Sequence, residues 1–139
     1  MIAMRFPAAL VASAALIAGI AAAAPAQKPA AGAPAFSPKV AAALAGRTAG
    51  KPQSCVPLRS IQSTQIVDET AIIYKLNRKR WLVNFPEGGC PSLRPDRTIV
   101  TSTPSTNLCR GDIARIIDPP APIEYGSCGL GNFVPYTAP

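Results

Sequence analysis

The chain has no histidine, one tryptophan, two methionines and only 7 acidic residues among 139. Without histidine, triads and dyads that use imidazole as the general base are excluded, and the commonest nitrogen ligand for a metal is missing. No G-x-S-x-G or S-x-x-K element is present, so serine nucleophiles have no local signature either. Aromatic residues make up 6% of the chain, which leaves few platforms for stacking sugars. The cysteines form no close pair: the nearest neighbours are 19 positions apart, whereas structural zinc favours C-x-x-C spacing. Beyond Val56 no window sustains a helical period over the roughly 10 residues that a stable helix needs.

What is present begins with an apolar amino terminus. Met1 to Pro7 carries one cation, Arg5, and Ala8 to Ala24 is almost wholly Ala, Leu, Ile and Val. This is the layout of a secretory signal, residues 1–26, with small residues at Ala24 and Ala26 and the expected cut before Gln27. A retained anchor is the alternative, because the run approaches the ~18 apolar residues of a spanning helix. Its alanine richness makes it a weak anchor, so no retained transmembrane segment is expected. The expected location is periplasmic or secreted.

Removal of Arg5 with the signal lowers the net charge from +7 to +6. Residues 27–46 are rich in proline and alanine, with Lys28 and Lys39 the only charges, and read as a linker. A short helix over Val40–Leu44 is compatible with this stretch, while the prolines at 25, 29, 34 and 38 favour extended backbone upstream of it. Residues 47–139 then form the folded domain, and all four cysteines, Cys55, Cys90, Cys109 and Cys128, lie inside it. A domain this small has a limited core, so two disulfides are the expected supplement in an oxidising compartment. Four cysteines allow three pairings, and the spacing does not choose among them.

Short β-type runs separated by turn residues predict an all-β fold. Ser63–Val67, Thr70–Leu76 and Arg80–Phe85 form a three-stranded meander, turning at Asp68-Glu69 and at Asn77-Arg78-Lys79. Alternation puts Ile72, Tyr74 and Leu76 on one face of the second strand, and Trp81, Val83 and Phe85 together on the third. Thr98–Thr101 and Asp112–Ile117 follow as strands, with Ser102–Asn107 as a loop and Tyr125–Phe133 as the closing run. A small antiparallel barrel would leave no free edges and is the expected architecture; a two-sheet sandwich is the alternative.

Several anchors recur together: Cys55, Ile66-Val67-Asp68, Trp81 with Val83-Asn84, Cys90-Pro91-Ser92-Leu93, Leu108-Cys109-Arg110-Gly111-Asp112 and Cys128 through Phe133. In these the chain resembles a family of small exported proteobacterial proteins of unknown function, which share a signal peptide, a cysteine-bearing β domain and a C-x-x-L element. The resemblance implies a periplasmic location and a compact β fold, and brings no activity, cofactor or catalytic residue.

The densest basic cluster is Arg78, Lys79 and Arg80, on a turn beside Trp81. A protruding basic loop suits an anionic partner; the plain alternative is a solvated hairpin tip with the tryptophan packed inward. Arg110-Gly111-Asp112 spells an adhesion tripeptide, but a turn centred on glycine explains it better. Asp68, Glu69, Asp112 and Asp118 lie near strand ends, where paired carboxylates could serve as acid and base. The function expected is a non-catalytic binding or interaction module of the bacterial envelope, with no cofactor. An anionic envelope component or an exported protein is the expected partner rather than nucleic acid. The alternative is an inhibitor of an exported enzyme, presenting Ser102–Asn107.

Overall fold

The computed structural model describes residues 37–121 and 123–139; the expected signal, its cut and residues 27–36 of the expected linker lie outside them. Within the described residues the fold is all-β with one short helix, α1 (Pro38–Ala43). Strands β1 (Thr48–Ala49), β3 (Ser63–Asp68), β4 (Ala71–Lys75), β5 (Arg80–Asn84) and β10 (Phe133–Thr137) form an antiparallel sheet in the order β1-β10-β5-β4-β3. A second sheet takes β6 (Thr98–Ser102), β8 (Ile113–Asp118) and β9 (Ile123–Gly129) in the order β6-β8-β9. Strands β2 (Cys55–Pro57) and β7 (Asn107–Cys109) form a separate two-stranded ladder.

The meander is present as β3, β4 and β5, and its alternation sorts the core. Ile72, Tyr74 and Leu82 point to one face and pack with Val56, Leu93, Leu108, Ala114, Ile116, Leu130 and Phe133, drawn from all three sheets and their connections. Ala71, Ile73 and Val83 point to the other face and pack with Val40, Leu44 and Tyr136. The five-stranded sheet is thus covered on both sides, one of them by α1.

That helix begins inside the stretch read as linker. Pro38 occupies its first turn, where a missing N–H costs nothing, and the Ser37 hydroxyl accepts from the Val40 amide at 3.2 Å. Six residues are too few to hold a helix alone; burial of Val40 and Leu44 against the sheet does so. The folded unit therefore includes residues 37–46.

The expected barrel does not form. The five-stranded sheet keeps free edges at β1 and β3, and the three-stranded sheet at β6 and β9. Closure would need these edges to pair across the two sheets, and the ladders stop at them. The sheets are joined by side-chain packing and by one disulfide, Cys90–Cys128, instead. Cys55 pairs with Cys109 across the β2–β7 ladder, and Cys90 with Cys128.

The expected closing run Tyr125–Phe133 is also divided. Strand β9 ends at Gly129 and β10 starts at Phe133 in the other sheet. Between them the buried side chain of Asn84 accepts from the Gly131 amide at 3.0 Å and donates to the Gly131 carbonyl at 2.7 Å. A side chain at Gly131 would collide with the Phe85 carbonyl. The chain crosses from one sheet to the other where an amide side chain and an absent Cβ allow it.

Candidate anion-binding surface

The tip between β4 and β5 is built by Asn77. Its side-chain oxygen accepts from the amides of Lys79 at 2.9 Å and Arg80 at 2.7 Å, an Asx turn that reverses the chain. The Arg80 carbonyl accepts from the amides of Leu76 and Asn77 and closes the turn. Arg78, Lys79 and Arg80 are all exposed on it.

Two further cations join them across the fold. Arg47, just before β1, donates to the carbonyls of Lys79 at 2.8 Å and Arg78 at 3.1 Å, and its guanidinium carbon lies 3.4 Å from the centre of the Trp81 ring. Lys75, the cross-strand partner of Trp81, brings its ammonium to 4.6 Å from the same ring. Trp81 is half-buried and packs inward with the α1 side of the sheet, as strand alternation requires. Each cation–π contact at such a site contributes roughly 0.5–1 kcal/mol.

Arg47, Lys75, Arg78, Lys79 and Arg80 thus gather at one end of the five-stranded sheet. The ion pairs among the described residues are Arg94–Asp96, Arg110–Glu87 and Arg115–Glu124, and none involves these five. Asp68 and Glu69 sit in the turn at the opposite end of β4. The sequence singled out Arg78, Lys79 and Arg80; it missed Arg47, which lies about thirty positions away. Lys75 was accessible from the hairpin register, which sets it opposite Trp81.

The four carboxylates considered as an acid–base pair are held by separate partners. Burial acts to raise the pKa of Asp68, but hydrogen bonds from Ser37 and Thr70 outweigh it and hold the carboxyl below its ordinary range. Glu69 is exposed beside it. Asp112 accepts from the Cys109 amide at 2.7 Å, and Asp118 lies 3.5 Å from the Tyr125 hydroxyl. In the adhesion-like tripeptide, Gly111 adopts φ +88° and its amide bonds the Leu130 carbonyl, while Arg110 reaches Glu87. The tripeptide is a structural turn.

The Ser102–Asn107 loop lines a cleft of about 540 Å³ with Pro57, Leu58 and Arg59. It is curled rather than extended: Thr103 and Ser105 hydroxyls both donate to the Asn107 carbonyl at 2.9 Å, and the Leu58 amide bonds the Thr106 carbonyl at 3.0 Å. An extended, substrate-like presentation would break these bonds.

Comparison with protein-family models, curated proteins and solved structures finds no match to this chain.

Proposed function

We propose that this chain is an exported, non-catalytic binding module of the bacterial envelope, whose basic hairpin end meets an anionic partner. The observation that carries the reading is the gathering of five cations at one end of the sheet, with none of them in an ion pair among the described residues. Elsewhere on the domain three arginines are paired with acids. Local potential of one sign focuses oppositely charged partners and speeds their encounter. Two disulfides support an oxidising compartment, periplasmic or extracellular.

The test is retention on a sulfopropyl matrix at low ionic strength. The variant R78Q/K79Q/R80Q is expected to elute well before the native protein while keeping its circular dichroism spectrum. A triple variant of Lys51, Arg59 and Arg115 to Gln removes the same charge from other surfaces and is expected to elute later than the hairpin variant. Equal elution of the two triple variants would reduce the basic end to ordinary surface charge and overturn the reading.

A further inference from the structure

Resting on that reading, we propose that the partner is a phosphate-bearing lipid surface, bound through charge alone and without insertion of a side chain. Most of the backbone of the tip is already committed. The amides of Lys79 and Arg80 go to Asn77, the carbonyls of Arg78 and Lys79 to Arg47, and the Arg80 carbonyl to Leu76 and Asn77. What this end chiefly offers a ligand is the side chains of Arg78, Lys79, Arg80 and Lys75, which are hydrogen-bond donors and never acceptors. Sugars, peptides and nucleobase edges present donors as well as acceptors, and would leave those donors unmet here. Phosphate esters present acceptors and negative charge together.

Trp81 separates this surface from one that reads rings. Arg47 already stacks on the indole at 3.4 Å and Lys75 stands 4.6 Å from its centre, while the rest of the ring packs toward the α1 side of the sheet. The ring is therefore taken as a platform for bases or sugars. The tip also lacks a wedge for a bilayer: among the described residues the exposed large apolar side chains, Leu58, Ile113, Ile123 and Tyr125, all lie off the hairpin. A projecting turn cannot enclose a small anion, but it can lay several cations against an array of headgroups.

Arg47 is a positioning residue in this arrangement. Its fork holds two carbonyls of the tip at once, and a lysine has a single ammonium with which to do the same. Arg47→Lys keeps the charge and loses the double grip.

The oxidised protein is to be sedimented with vesicles of phosphatidylcholine alone and of phosphatidylcholine mixed with phosphatidylglycerol. Binding is expected only to the mixed vesicles, and is lost near 1 M salt, where the screening length falls to about 3 Å. R78Q/K79Q/R80Q is expected to lower the partition coefficient about a hundredfold, roughly fivefold for each cation. Trp81 emission keeps its wavelength on binding, and R47K binds more weakly despite its unchanged charge. A blue shift of Trp81, or equal binding to neutral vesicles, overturns charge-only contact. If the mixed vesicles fail while hairpin-dependent retention on sulfopropyl persists, the lipid surface is refuted and the anion-binding reading stands. Binding of soluble tripolyphosphate with no vesicle binding would likewise refute the lipid surface and assign the site to free phosphate.

Discussion

Opening the Cys55–Cys109 bridge is expected to remove about 4 kcal/mol of stability. The bridge spans 54 positions, and loop-closure entropy for a loop of that length amounts to about 4 kcal/mol at room temperature. The β2–β7 ladder it locks has three residue pairs, with Val56 and Leu108 as the central, buried pair. Without the bridge, three pairs must recover the cost of bringing distant segments together. Cys55 is exposed and Cys109 half-buried, so Cys55→Ala with Cys109→Ala removes the crosslink with little packing. Cys90–Cys128 spans 38 positions, and because the entropy varies with the logarithm of length it contributes about the same. Both of its cysteines are buried in the main core, so Cys90→Ala with Cys128→Ala adds a packing loss and should cost more. Urea unfolding followed by circular dichroism measures both. Each double variant should show a lower midpoint and a steeper dependence on urea, since the uncrosslinked unfolded chain exposes more surface. A loss under about 1 kcal/mol for the first pair, or a greater loss for the first pair than for the second, would refute the reasoning.

Asn84→Leu should destabilise the domain by about 2–4 kcal/mol, because both the amide and the carbonyl of Gly131 lose their buried partner; chemical denaturation at neutral pH checks it. Tyr74→Phe should be neutral or stabilising by up to about 1 kcal/mol, since the buried Tyr74 hydroxyl has no hydrogen-bond partner among the described residues; a fall in the urea midpoint would contradict this. The Asp68 carboxyl, whose folded pKa is depressed, adds stability that is present above its unfolded pKa near 3.8 and is lost as pH falls through the lower folded value. Asp68→Asn should therefore flatten the acid limb of the stability curve below about pH 4, measured by thermal melts across pH.

The meander was legible because its information is local. Alternation along Ala71–Lys75 and Arg80–Asn84 sorts the side chains correctly, and the turns at Asp68 and Asn77 carry their own hydrogen-bonding side chains. Burial on the second face was not legible, since α1 contributes mostly alanines and its helical state depends on the sheet beneath. The break between β9 and β10 is fixed by Asn84, 47 positions from the Gly131 it binds, and a linear pattern holds no trace of that pairing. The basic surface was half legible for the same reason: three of its cations are consecutive, while Arg47 arrives only through tertiary structure.

Strand β10 lies between β1 and β5, so the segment ending at Thr137 forms an interior strand of its sheet rather than a margin. A polypeptide emerging amino end first would expose β1, β3, β4 and β5 while the gap between β1 and β5 stayed vacant. Completion of this sheet must therefore wait until Thr137 has emerged, and long-range pairing of this kind slows folding. Until those last residues are free, the chain stays short of its final shape.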